Sequence, residues 1–204
     1  MNKPVIRLVV EDELHQNVLI RILKHFDDKF EIGDVYGFRG NSYIKKKLHA
    51  FNEASQLSPY LVLTDLDNYA CPPTLIGEWV NFTISHNMIF RIAVKEAESW
   101  LLSDRKNFAS YFRISAATID LNIEAIDNPK EYLVNLARKS KNRKIREDFV
   151  PNGTALVGPN YNARLADFIH NHWDYNNARR NNRSLHKLMN RLDNFVFKPA
   201  HKLK

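Results

Sequence analysis

Carboxylates follow three short apolar runs in the first half of the chain. Glu11 comes directly after VIRLVV, Asp65 and Asp67 close PYLVLTDLD, and Glu96 and Glu98 follow MIFRIAV. If these runs are strands of one parallel sheet, the carboxylates gather at the edge where such sheets bind ligands. Several carboxylates in one pocket are stable when a hard divalent cation neutralises them, and oxygen ligands suit Mg²⁺ or Mn²⁺. The spacing therefore predicts a metal site formed by Glu11, Asp65, Asp67, Glu96 and Glu98.

A structural role is the alternative for each of these acids taken singly. An Asp or Glu after a strand is often the N-cap or a first-turn residue of the next helix. That alternative is weaker for three strand ends together than for one. In the D-x-D pair, the two-residue period of a strand would point both carboxylates to the same side, as a shared ligand requires.

Strand and helix patterns alternate along the first half of the chain. VIRLVV, FEIGDVYGF, PYLVLTDLD and MIFRIAV predict four strands. The apolar spacing from Leu14, SYIKKKLHAFNEAS and TLIGEWVNFTISH predict three helices between them. After Val94 only helical stripes follow. We expect an α/β fold with a mainly parallel sheet between helices. The predicted division is an α/β core over 1–104 and a helical extension over 105–204 that packs on the core.

Positive charge is concentrated in the second half of the chain. The 204 residues include 30 Lys and Arg against 23 Asp and Glu, a net charge of +7. A basic excess attracts polyanions, which places nucleic acid slightly ahead of solvated helix faces as its explanation. The stretches that stand out are RKSKNRKIRE and NNARRNNRSLHK. In the first stretch, a phosphate-contacting loop and a solvated loop are equally open, and the candidate nucleic-acid contacts are Lys139, Lys141, Arg143, Lys144 and Arg146.

Several classes of protein are excluded by composition and motif. The mean hydropathy is −0.44 and no long uncharged apolar run occurs, so we expect no membrane span. The first apolar run is too short for a signal peptide, so we expect a cytoplasmic protein. The single cysteine, Cys71, excludes a disulfide framework within the chain and a multi-cysteine zinc cluster. No G-x-x-x-x-G-K-[ST] frame is present, so any ATP would be handled by another chain.

The first half of the chain resembles the receiver domain of response regulators. VVEDE resembles their acidic Mg²⁺-binding pair, and SPYLVLTDLD resembles the strand with the phosphate-accepting Asp, which implies a site of Glu11, Asp12 and Asp65. The resemblance fails further along, because the next strand closes in RIAVKEAESW without the required Thr or Ser. No Lys-Pro follows at the expected place. A divergent phospho-receiver is therefore the least favoured reading.

A wider resemblance is to TOPRIM domains, which carry a Glu at the end of the first strand and a D-x-D at the end of a later one. FRIAVKEAESWLLSD, NPKEYL and VGPNYNARLADFIHNHWD resemble bacterial TOPRIM-like proteins of unassigned function, related to overcoming-lysogenization-defect (OLD) nucleases. The resemblance implies a Mg²⁺- or Mn²⁺-dependent phosphodiester hydrolase that cleaves DNA, with Glu11, Asp65, Asp67 and Glu96 as catalytic residues. It further implies an ABC-type ATPase partner and a role in anti-phage defence, and it leaves an oligomer open.

One frame departs from the OLD-type pattern. OLD-type domains commonly read E-G-x-x-E, whereas this chain has Glu11, Asp12, Glu13, Leu14 and His15. Three readings are open: Glu13 replaces the second Glu, His15 binds metal itself, or the second metal site is weak or lost. Lys95 is open between a charge partner and a phosphate contact. The main alternative function is a catalytically weak TOPRIM-like subunit that binds nucleic acid or a partner protein.

Overall fold

The computed structural model describes residues 3–199. Over these residues the chain forms four strands and ten α-helices. Their bounds, in chain order, are β1 Val5–Val10, α1 Glu13–Leu23, β2 Glu31–Gly37, α2 Gly40–Ala54, β3 Tyr60–Asp65, α3 Pro72–Trp79, β4 Met88–Ala93, α4 Glu98–Leu102, α5 Arg105–Phe112, α6 Pro129–Arg138, α7 Arg143–Phe149, α8 Tyr161–Asn171, α9 Tyr175–Asn181 and α10 Arg183–Asp193. Short 3₁₀ turns lie at Lys24–Phe26, Ala116–Thr118 and Ile123–Ala125.

The strands form one sheet in the order β2-β1-β3-β4. Strand β1 pairs in parallel with β2, from Val5 opposite Glu31 to Val10 opposite Gly37, and in parallel with β3. Helices lie on both faces of this parallel sheet, and helices follow it along the chain. The predicted α/β class and the four predicted strands are therefore confirmed.

The centre of the sheet is apolar on both faces, as the β-branched runs predicted. Every residue of β3 is buried, and Leu8 and Val9 of β1 are fully buried beside it. Val18, Leu19 and Ile22 of α1 keep the three- and four-residue spacing of one helical face, and all three are fully buried. Hydrophobic burial of both faces fixes the ends of β1 and β3 side by side.

Gly37 lets the end of β2 approach the end of β1. A Cβ on this residue would lie 1.9 Å from the carbonyl oxygen of Val10, and its φ of +114° is unfavourable for other residues. The next residue, Phe38, donates its backbone N–H to the same carbonyl at 3.1 Å. Glycine at this position therefore holds the chain tightly around the residue that follows β1, which is Glu11.

Two predictions about local structure were wrong. Helix α3 ends at Trp79, whereas the pattern TLIGEWVNFTISH predicted a helix to residue 86. The buried amide of Asn52 explains the early end, because it binds the backbone of Thr83 and Ser85 at 3.1 and 2.7 Å and so satisfies a non-helical segment. The predicted phosphate-contacting loop after α6 contains helix α7, whose N-cap Asn142 accepts the Lys144 N–H at 2.9 Å.

The chain separates into two compact units. Among the described residues, the first comprises 3–92 together with 187–199, and the second is Ala93–His186. The predicted division into 1–104 and 105–204, and the packing of the one on the other, stay predictions. None of the helices within residues 3–199 has the length and apolar character that crossing a bilayer requires.

Candidate functional site

Glu11 lies at the meeting point of two parallel strand ends in the first unit. Its carboxylate accepts the backbone N–H of Asp65, the last residue of β3, at 2.9 Å. It also accepts a hydrogen bond from the Thr64 hydroxyl. The structure therefore brings together Glu11 and Asp65, which are 54 positions apart in the sequence.

A buried histidine connects this pair to the next helix. His15 is 1% exposed and lies one turn into α1. Its Nε2 is 3.0 Å from Oδ1 of Asp65, and its Nδ1 is 2.9 Å from Oδ1 of Asp12. Asp12 is also the N-cap of α1, where it accepts the His15 N–H at 3.0 Å. Because ionised carboxylates only accept hydrogen bonds, both ring nitrogens can donate only in the protonated imidazolium.

The charges in this cluster shift two pKa values. Burial first, and the neighbouring Asp65 carboxylate second, raise the pKa of Glu11 to about 7 against the opposing effects of His15 and of the hydrogen bonds from Thr64 and the Asp65 backbone. Burial alone would lower the pKa of His15, but the carboxylates of Asp65 and Asp12 raise it well above its ordinary value. At neutral pH the site thus combines a buried imidazolium with a carboxyl group that titrates near pH 7.

Asp67 lies outside strand geometry. Strand β3 ends at Asp65, and Asp67 has a φ of +49°, in the left-handed region. The two-residue period of a strand therefore does not apply to the D-x-D pair. That period was the geometric reason for expecting both carboxylates to bind one metal ion. The Asp67 carboxylate accepts a hydrogen bond from the Asn41 side chain at 2.8 Å.

The first unit also contains one accessory candidate from the sequence and two residues that the sequence reasoning did not single out. Glu13, an accessory candidate, is exposed in the first turn of α1. Thr64 and Asn41 were not singled out, although they bind the carboxylates of Glu11 and Asp67. A hydroxyl residue directly after the apolar run YLVL, within the predicted strand, was a usable signal for Thr64, because a buried polar group needs a partner. The sequence gives no comparable signal for Asn41.

Glu96 and Glu98 lie in the second unit and have partners there. Glu96 accepts the backbone N–H of Lys130, in the first turn of α6, at 2.8 Å, where the helix dipole favours an anion. Glu98 is 1% exposed and accepts the Tyr161 hydroxyl at 2.9 Å, with the Lys130 ammonium 3.7 Å away. The ammonium of Lys95 lies 3.9 Å from the Asp127 carboxylate. The metal-binding role of Glu96 and Glu98 stays a prediction.

The basic segment after α6 is partly helical. Arg143, Lys144 and Arg146 belong to α7, while Lys139 and Lys141 precede it. Arg143 forms an exposed ion pair with Glu147 one turn later, at 2.6 Å, and Arg146 donates to the Ser140 carbonyl. Four of the five predicted nucleic-acid contacts are exposed, and Arg146 is half-buried. Binding of nucleic acid by this segment stays a prediction.

Known proteins offer little help in assigning these sites. No protein-family model matches the chain, and no curated protein matches it. Among solved structures, the chain is similar to the C-terminal region of the Burkholderia pseudomallei OLD protein, with 17% identity and a TM-score of 0.35 over 94% of this chain and 100% of that one. An identity and a TM-score this low carry no argument about function.

Proposed function

We propose that this chain is a metal-dependent phosphodiester hydrolase that acts on DNA, with Mg²⁺ or Mn²⁺ held by Glu11 and Asp65. The observation that supports it is the hydrogen bond from the Asp65 backbone N–H to the Glu11 carboxylate, which places the two residues at adjacent ends of parallel strands, where α/β sheets bind their ligands. The sequence resemblance to TOPRIM domains independently points to the same two residues.

The donor set fits a small hard cation. Mg²⁺ is ordinarily bound through one or two carboxylates, with waters and substrate phosphates completing its shell. Within residues 3–199, no three or more His, Cys, Asp or Glu side chains are grouped so as to hold a metal. A site of two carboxylates does not need such a group. Burial and, second, repulsion by the Asp65 carboxylate raise the pKa of Glu11, and a divalent cation between the two carboxylates would relieve that repulsion.

Glu11 and His15 have different tasks in this proposal. With a pKa near 7, the Glu11 carboxyl can give or take a proton at neutral pH, as a general acid or base should. Both nitrogens of His15 contact carboxylates, so His15 orients Asp65 instead of binding the metal. A bound divalent ion would supply charge neutralisation of the phosphodiester and of the leaving oxygen. Asp67, Glu96 and Glu98 stay ligands predicted from the sequence: the TOPRIM resemblance includes Asp67 and Glu96, and the strand-end spacing adds Glu98.

A second candidate function is a catalytically weak subunit that binds nucleic acid or a partner protein. The observation that favours it is His15, which stands where OLD-type domains have a second glutamate. The His15 imidazolium lies beside Asp65 and provides a positive charge there, in place of the charge that a second metal ion would provide. The ABC-type ATPase partner and the anti-phage setting rest on the sequence resemblance alone under either candidate.

Cleavage of supercoiled plasmid DNA with Mg²⁺ or Mn²⁺ tests the first candidate. Glu11→Gln keeps an acceptor for Thr64 and for the Asp65 N–H while removing the charge, so we expect a properly folded variant. Its cleavage rate should fall by roughly 100-fold or more. Asp28→Asn, an exposed acid of the same unit, is the matched control and should cleave like the wild type.

Calorimetric titration with Mn²⁺ supplies a readout other than activity. We expect saturable binding to the wild type and to Asp28→Asn, and binding at least roughly tenfold weaker in Glu11→Gln, because one of two charged ligands is gone. Equal nicking by wild type and Glu11→Gln would contradict the hydrolase proposal. A wild type that binds DNA but cleaves with neither ion would support the second candidate.

A further inference from the structure

A basic cavity lies at the junction of α9 and α10, within the second unit. Its volume is about 970 Å³, and all of the side chains that line it are polar. They include Arg179, Arg180, Arg183, His186 and Asn181, with Glu124 as the one acid. Three guanidinium groups around one opening concentrate positive charge far more than the chain average does.

The charges of the cavity are poorly balanced by the protein itself. Arg180 and Arg183 are exposed, and neither forms an ion pair with any residue of the described range 3–199. Arg183 is the first residue of α10. A cation at that end of a helix is repelled by the helix dipole, which favours anions there. This placement is unfavourable for folding and becomes favourable once an anion is bound.

Two backbone N–H groups in the first turn of α10 already have acceptors within the protein. At the start of α10, the Ser184 N–H is bound by the Glu124 carboxylate at 2.8 Å, and the Leu185 N–H by the Asn182 side chain at 3.0 Å. The arginine side chains are therefore the groups that would hold an anion. One guanidinium group can donate two parallel hydrogen bonds to two oxygens of a phosphate, and its positive charge complements the negative charge of the phosphate.

The polar lining favours a phosphodiester backbone over a free nucleotide. A nucleotide pocket generally offers apolar or aromatic surface for the base, and the His186 imidazole is the one ring among the lining residues of this cavity, which include no aliphatic side chain. Several arginines spread around an open cavity suit successive phosphates of one strand.

We propose that the cavity of Arg179, Arg180, Arg183 and His186 binds the phosphate backbone of a nucleic acid. It extends the proposed function, because it supplies a substrate-holding surface separate from the predicted segment 139–146. It is tested by binding alone, in EDTA, so its outcome does not depend on whether the chain cleaves DNA.

Fluorescence anisotropy with a labelled DNA 20-mer, single-stranded and duplex, tests the proposal over a series of salt concentrations. Loss of two phosphate contacts in Arg180→Gln/Arg183→Gln should reduce the slope of log affinity against log salt by about 1.4 to 1.8. At 0.1 M salt this corresponds to binding weakened by roughly 25- to 60-fold. Both residues are exposed, so we expect the double variant to fold normally.

Two further variants separate the cavity from a general charge effect. Lys46→Gln/Lys47→Gln removes the same charge from an exposed face of α2 and should leave the salt slope nearly unchanged. Glu124→Gln keeps an acceptor for the Ser184 N–H while removing the one negative charge, so it should bind DNA several-fold more tightly. Inorganic phosphate and ATP, added at equal phosphate concentration, should compete far less well than unlabelled DNA.

The inference is overturned if wild type fails to bind either DNA in EDTA, or if the arginine and lysine double variants weaken binding equally. It is also overturned if ATP competes as well as DNA does, because the cavity would then hold a nucleotide. If the wild type cleaves plasmid DNA but the arginine variant binds DNA as tightly as the wild type does, the hydrolase proposal stands and only the proposal about the cavity is refuted.

Discussion

Two glutamates that closely follow strands have opposite surroundings in the two units. Glu98 is buried beside a cation and a hydroxyl donor, the Lys130 ammonium at 3.7 Å and the Tyr161 hydroxyl at 2.9 Å. Glu11 is half-buried beside the like charge of Asp65, and its pKa is raised to about 7. A buried acid with a cation beside it is explained by folding alone. A half-buried acid held against another acid lowers stability at neutral pH, and a bound ligand would explain its presence.

His15→Gln should have the largest effect on this comparison. The amide cannot carry the charge that lies between Asp65 and Asp12, so Asp65 would keep its buried carboxylate with less compensation. We expect a loss of about 3 kcal/mol or more in the free energy of unfolding, measured with urea at pH 6.

The pH dependence of that loss has a definite sign. The folded-state pKa of His15 is raised above 6.5, so its stabilising effect is fully present below pH 6.5 and is lost as the pH rises through the raised value. The difference between wild type and His15→Gln should therefore shrink in alkaline solution. His49→Gln on the surface is the control and should change stability by less than about 0.5 kcal/mol. A loss independent of pH would mean that the imidazole acts by packing only.

Glu11→Gln should stabilise the protein. The folded-state pKa of about 7 exceeds the ordinary value of 4.5, so the folded state holds its proton more tightly, and stability falls as the pH rises between these values. Above pH 7 the ionised Glu11 destabilises the wild type by roughly 2 kcal/mol, allowing for its partial exposure. The variant should recover that amount at pH 8 and little at pH 4. A variant no more stable than wild type at pH 8 would show that burial and the neighbouring charges do not destabilise the ionised Glu11 carboxylate.

Glu98→Gln should act in the opposite direction. Replacing the carboxylate weakens a charge-assisted hydrogen bond from Tyr161 and the attraction to Lys130, so we expect a loss of about 1–2 kcal/mol at pH 7 in chemical denaturation. Its Mn²⁺ affinity, measured by calorimetry, sharpens the comparison further. Unchanged affinity would mean that Glu98 has a structural role, whereas a tenfold loss would support the metal ligand that the sequence predicts.

The smallest effect should come from Glu147→Gln. Its ion pair with Arg143 spans one exposed turn of α7, where water and salt screen the charges, so we expect a loss of about 0.3 kcal/mol. Thermal unfolding in low and high salt measures it. A loss above about 1 kcal/mol would show that an exposed ion pair affects stability as much as Glu11 or Glu98 does. Burial would then not explain the difference between these sites.

Much of the fold was predictable from local patterns. The sequence patterns identified all four strands. Burial on both faces explains the apolar sequence of β3, whereas every residue of β2 is exposed or half-buried. Helix α7 was missed because a run of charges hides the capping residue Asn142, and the end of α3 was misplaced because the side chain of a distant residue, Asn52, stabilises a non-helical segment. Pattern reasoning cannot include such long-range hydrogen bonds.

The sequence by itself determined which acids follow which strands, because hydrophobic burial fixes the strands and the strands end where polar residues begin. Only the tertiary structure decided what each acid touches. Asp65 meets His15, 50 positions away, whereas Glu96 meets the start of α6. The reason is physical: a carboxylate's charge state and role depend on neighbours within a few ångströms, and those neighbours come from distant parts of the chain.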